Sequence, residues 1–207
     1  MSVLRTLYHM MRADFLERVR SYRFLAMLLF TIFLTYLFIP ALNSYQIFGL
    51  ELGGYRGVYN SAWIGSMVAL LMGEFFNIFA FYLLKGNIDL DRRTGVGQIL
   101  AATPMRKITY TVGKWLSNIA VIAAMTGMII VASGVLQLIR GEVLILNLWA
   151  LTAPFLLVLL PSLVVIAAVA VLFDSINLLR GGLGNVIFFF AALLPPYLWL
   201  DLPGTYQ

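Results

Sequence analysis

Ionisable side chains are scarce in this chain, so each one that interrupts an apolar run is informative. The densest group lies at residues 89–114, which read DLDRRTGVGQILAATPMRKITYTVGK. The stretch is too polar to lie in lipid, and with Lys85 at its edge it carries six of the fourteen Lys and Arg residues. Asp91, Arg92 and Arg93 form a charged exit from the preceding apolar run. Gly95 and Gly97 permit a tight turn. Val96, Ile99 and Leu100 make an apolar patch too short to span a membrane. Thr103 and Pro104 break a helix, because the residue before a proline is pushed out of the α region. Arg106 and Lys107 restart a basic segment, and Gly113 and Lys114 open the next apolar run. A short helix with an apolar patch is shaped to dock into a partner's groove. A connecting loop that follows the lipid headgroups accounts equally for the composition.

Glu74 is the second point of interest, midway along an apolar run and three residues before Asn77, so both fall on one helix face. An ionisable group at that depth usually faces a bundle interior or a wet cavity. One reading is a pathway or gating residue. The other is a buried carboxyl hydrogen-bonded across helices. Hydrolytic and metal chemistry find no footing. Cysteine is absent, and the single histidine, His9, sits on a basic amphipathic segment where a solvated side chain is the default. No H-E-x-x-H, G-x-S-x-G or G-x-x-x-x-G-K-[ST] pattern occurs. Gly113 and Lys114 are followed by Trp115 and open a span, so they cannot cradle a triphosphate.

The elements that must position these residues are apolar helices. Of 207 residues 62% are hydrophobic and 11% charged, with mean hydropathy +0.94. A soluble domain carries roughly 25% charged residues. The fold class expected is all-α, a polytopic membrane protein in one transmembrane domain. Its runs approach the ~20 residues a helix needs to cross a bilayer. They predict five spans, at residues 24–42, 61–84, 115–138, 147–173 and 185–200, the last closed by Pro195 and Pro196. Pro154 and Pro161 predict a kink in the fourth. Residues 3–20 read as an amphipathic helix lying on the membrane surface. Leu4, Leu7, Tyr8, Met11, Phe15 and Val19 fall on one arc; Leu16 and Arg18 spoil the separation. Twelve of the fourteen Lys and Arg residues lie on one face, with only Arg56 and Arg140 on the other. By the positive-inside rule the N-terminus and residues 85–114 are cytoplasmic. The basic balance, +5 at pH 7, is explained by that rule and calls for no nucleic acid. Asp174, at the cytoplasmic mouth of span four, is expected to be solvated.

The pattern Asp91-Arg92-x-x-Gly95-x-x-x-x-Leu100-x-Ala102-Thr103-Pro104-x-x-Lys107, followed by Gly113-Lys114 opening a span, resembles the cytoplasmic signature of ABC-2 type transporter permeases. The N-terminal helix resembles that family's elbow helix. The motif covers about 25 residues; the order of elbow, span, outer loop, span, coupling segment and span covers most of the chain. It departs from the family at Val96 and Gly97, where Thr-Leu is usual, and at Arg106, usually small and hydroxylated.

The resemblance implies the membrane subunit of an ATP-driven transporter, more often an exporter, in the plasma membrane. It implies a cytoplasmic ATPase partner holding ATP and Mg, a second permease copy or paralogue, and no enzyme activity or cofactor in this chain. Asp91, Arg92, Gly95, Leu100, Thr103, Pro104, Arg106, Lys107, Gly113 and Lys114 would form the coupling segment. Glu74 and Asn77 are candidate pathway residues from their depth. The family's six spans imply a last span beyond this chain. Two rivals remain: a scaffold or assembly subunit that binds a cytoplasmic partner through residues 89–114, and an ion-coupled carrier, which would need two related halves that the sequence does not have.

Overall fold

The computed structural model describes residues 3–41, 51–52, 55–86, 88, 91, 95 and 107–200. Helices dominate, joined by a two-residue hairpin in which β1 (Glu51–Leu52) pairs antiparallel with β2 (Tyr55–Arg56).

The chain enters through α1 (Val3–Val19) and turns at Ser21 into α2 (Tyr22–Phe38). The Ser21 hydroxyl caps α2 by accepting from the Phe24 amide at 3.2 Å. The segments Leu7–Val19 and Tyr22–Phe38 meet at 71°. α2 stops at Phe38 because Pro40 excludes Ile39 from the helical region, and Ile39 sits at φ −114°, ψ 75°. With 17 residues α2 is shorter than the expected run 24–42 and about 25 Å long. It reaches spanning length and composition only when paired with the segment before it.

α3 (Ser61–Leu84) is the central helix. Asn60 caps its start, accepting from the Trp63 amide at 2.9 Å. Its end is set by Gly86, which takes φ +92° after the C-cap Lys85. Ile64, Val68, Met72, Phe76 and Ala80, four residues apart, form one buried stripe. A Cβ at Gly65 would lie 2.5 Å from the Leu151 carbonyl oxygen, so two backbones touch there.

α4 (Lys107–Arg140) is 34 residues long and begins eight residues before the expected span 115–138. The last part of the expected connecting segment 85–114 is therefore helix. Hydropathy marks where lipid begins, whereas a helix starts where the backbone can pair. α5 (Leu148–Ser175) runs through both of its prolines. The expected kink is resolved as a π turn at Phe155–Leu159, in which the Leu160 amide reaches back to the Phe155 carbonyl. Proline removes a donor and crowds the preceding turn, and a wider turn absorbs both effects. α6 (Gly182–Leu200) continues past Pro195 and Pro196, so these do not end it.

α3, α4 and α5 share the core. α4 bonds to α5 through Trp115 Nε1, which donates to the Val164 carbonyl at 3.3 Å, and Asn118 Nδ2, which donates to the Ala167 carbonyl at 3.4 Å. Leu157, Val165 and Val131 face outward, as lipid-facing positions would. At the far end Arg140 donates to the Tyr36 and Ile39 carbonyls and covers the Tyr36 ring, and Glu142 accepts from the Tyr59 amide. Among the described residues three helices, α3, α4 and α5, are long and apolar enough to cross a membrane, or four if the bent pair counts as one span.

Candidate functional site: a charged knot and a polar groove

The expected site residues separate into two places. The first is a knot where α1, the segment after α3, α4 and the end of α5 converge. Asp14 and Arg18 stand one turn apart on α1, as Tyr110 and Lys114 do on α4. Gly113 lets the two helices close: a Cβ there would lie 2.7 Å from Met10 Sδ and 3.5 Å from Leu7 Cδ2.

That approach puts Asp14, one turn beyond Met10, against Lys114. Lys114 is only 1% exposed. Its Nζ lies 2.8 Å from Asp14 Oδ2 and 2.7 Å from Asp91 Oδ2. The Tyr110 hydroxyl donates to the same Asp91 oxygen at 2.6 Å. Arg18 brings its guanidinium in behind them, and burial pushes its pKa down against the pull of Asp14, Asp174, Glu17 and Asp91. Its two terminal nitrogens are buried without a hydrogen-bond partner. An arginine stays charged in proteins, so it is the surrounding carboxylates that hold this charge in place.

Asp174 is not solvated as expected; it is 1% exposed. Both its carboxylate oxygens accept from the Gly86 amide at 2.9 Å, and one accepts from the Ile88 amide at 3.4 Å. The reason is that the segment after α3 folds over the last turn of α5, and Asp174 caps the free amides. Beside it Lys85 donates to Asn185 Oδ1 at 2.6 Å and to the Gly181 carbonyl at 3.0 Å.

Of the ten residues carried over from the permease resemblance, Asp91, Gly113 and Lys114 are brought together here and turned inward. Asp91 and Lys114 join segment to helix within the chain, so their side chains are not open to a partner in this arrangement. Lys107 is exposed at the first position of α4. Gly95 takes φ +77°, the turn conformation that glycine allows. Arg92, Leu100, Thr103, Pro104 and Arg106 lie outside the described residues. Sequence reasoning missed Asp14, Arg18, Tyr110 and Asp174. For Arg18 the signal was available: a basic residue that breaks an apolar arc needs a buried partner. No cluster of three or more metal-ligating side chains occurs among the described residues.

The second place is a groove of about 560 Å³ between α3, α5 and α6. Glu74 and Asn77 both line it, with Ser162 opposite. The Ser162 hydroxyl lies 2.8 Å from the Leu159 carbonyl and 3.2 Å from Asn77 Oδ1. Glu74 is exposed to the groove, which removes the expectation of a buried, helix-bonded carboxyl. The geometry of α3 explains it: Glu74 falls between Met72 and Phe76, about 200° around the helix from each. No described residue gives Glu74 a hydrogen bond or ion pair.

Fold and sites together define a predominantly helical protein with helices suited to a membrane, a buried ionic junction at one end and, at mid-length, an apolar groove interrupted by Glu74, Asn77 and Ser162. Compared with family models, curated proteins and solved structures, the chain matches none.

Proposed function

We propose that this chain is the membrane-spanning permease subunit of an ATP-driven transporter, working as an exporter in the plasma membrane. A cytoplasmic ATPase subunit holds ATP and Mg and supplies the energy, and a second permease copy or paralogue completes the pathway. The N-terminus and residues 85–114 face the cytoplasm, and α2 and α6 complete five spans with α3, α4 and α5. The observation that carries this reading is the Lys114–Asp91–Asp14 junction. It ties the polar inter-span segment to both the surface helix α1 and the first turns of α4. A force applied to that segment by a partner would reach two helices at once, because a desolvated ion pair transmits displacement better than a solvated loop. Arg92, Leu100, Thr103, Pro104, Arg106 and Lys107 would meet the ATPase, while Asp91, Gly113 and Lys114 would pass its motion inward.

The test is co-expression with a P-loop ATPase and reconstitution in liposomes. A stable complex with chain-dependent ATP hydrolysis is expected. Scrambling residues 89–114 should abolish it. If the complex forms equally well with the scrambled segment, the coupling assignment is wrong. Recovery of a cytoplasmic partner that is not an ATPase would favour the scaffold reading.

A further inference from the structure

The groove beside Glu74 has the properties of a ligand site rather than a seam between helices. Its volume falls within the roughly 300–1,000 Å³ of small-molecule pockets, and its walls are mostly aliphatic. Two aromatic residues, Phe173 and Phe188, are part of the lining. Phe188 stacks on Phe81 with centroids 3.6 Å apart, and Phe173 meets Phe81 edge-on at 5.2 Å, so the rings are held firmly. Three polar side chains interrupt the apolar lining: Glu74, Asn77 and Ser162. None of the lining residues is cationic. Val158 and Leu159 of the π turn form part of the wall, and such turns widen a helix where a ligand is accommodated.

Charge decides which ligand this suits. A carboxylate midway along a helix of membrane-spanning length is costly without a counter-charge. Glu74 has no partner among the described residues, and the groove is open on its side. An apolar molecule would leave that charge unmatched, and an anionic one would be repelled. A lipophilic cation would neutralise Glu74 and lay its own apolar rings along the aliphatic wall toward Phe173 and Phe188. We propose that the groove lined by Glu74, Asn77, Ser162, Phe173 and Phe188 binds lipophilic organic cations. This rests on the membrane reading of α3 and names a substrate class for the transporter proposed above, but it does not depend on the ATPase.

The experiment measures tetraphenylphosphonium binding to the purified chain in neutral-lipid nanodiscs, without ATP or partner. Saturable binding with one site per chain is expected, and tetraphenylborate, the anion of matching shape, should not compete. Glu74→Gln should weaken binding at least about tenfold, the loss expected of one charged contact. Gly73→Leu gives a second check: Gly73 lines the groove and a Cβ there meets nothing within 4 Å, so the added side chain takes up groove volume. It should abolish binding while the thermal midpoint holds. The inference is overturned if Glu74→Gln binds as well as the wild type, or if tetraphenylborate competes equally. Either result would mean that the charge of Glu74 does not select what binds. Loss of ATPase coupling would leave this binding intact, and loss of this binding would leave the coupling intact, so the two proposals fail separately.

Discussion

Lys114 and Asp91 meet at 2.7 Å inside the protein, where neither side chain has more than a small fraction of its surface exposed. The pair links a residue in the second turn of α4 to the segment that follows α3. Asp14 adds a third member from α1. A buried ion pair adds little net stability over an apolar replacement, yet removing one partner strands the other in low dielectric. The pair therefore specifies how three elements sit together more than it strengthens them.

Lys114→Ala removes the cation that Asp14 and Asp91 share, leaving Arg18 as the nearby counter-charge, and should destabilise the fold by up to about 3–5 kcal/mol. Unfolding in detergent micelles would measure it. Lys107→Ala is the control, since Lys107 is exposed. Equal midpoints for the two variants would mean that the knot does not form.

Gly65 and Gly73 lie on the same helix and should respond oppositely to alanine. At Gly65 the new methyl meets the Leu151 carbonyl at 2.5 Å, so α3 and α5 must separate, at a cost of about 1–3 kcal/mol. At Gly73 the methyl meets nothing, and the gain in helix propensity should leave stability unchanged or raise it by up to about 1 kcal/mol. Denaturation of the two single variants would check the order; a reversed order contradicts the packing of α3 on α5.

Asp174→Ala should leave the Gly86 and Ile88 amides without their acceptor. A buried donor left unsatisfied costs about 1–3 kcal/mol. Hydrogen exchange at Gly86 should speed up while the mid-helix amides of α3 hold their protection. Unchanged exchange at Gly86 would show that Asp174 does not cap this turn.

Burial pushes the Lys85 ammonium below its ordinary value, with Asp174 pulling the other way. The unfolded chain then binds the proton more readily than the folded one. Stability is reduced while Lys85 is charged, and the loss is relieved as pH rises through the window just below 10.5. The thermal midpoint of the wild type, relative to Lys85→Met, should rise across that window. A falling difference would reverse the assigned cause.

Much of the architecture was legible in the chain itself. Apolar runs placed α3, α4 and α5, because transfer from water to lipid is a sum over local side chains that a window of sequence reports directly. Pro40 ended α2, and Gly86 ended α3, for backbone reasons that are equally local. The groove was half legible: Glu74 and Asn77 shared a face by spacing alone. What only the tertiary structure decided is which charges meet. Asp14, Asp91 and Lys114 lie far apart in sequence, and no periodicity encodes their pairing. Asp174 looked solvated because it stands at the mouth of a span, yet it is buried by the segment that follows α3. Local pattern determines where helices form and which side is apolar. The partners of a buried charge depend on which backbones come close, and at Gly113 that depends on a missing Cβ and a methionine from another helix.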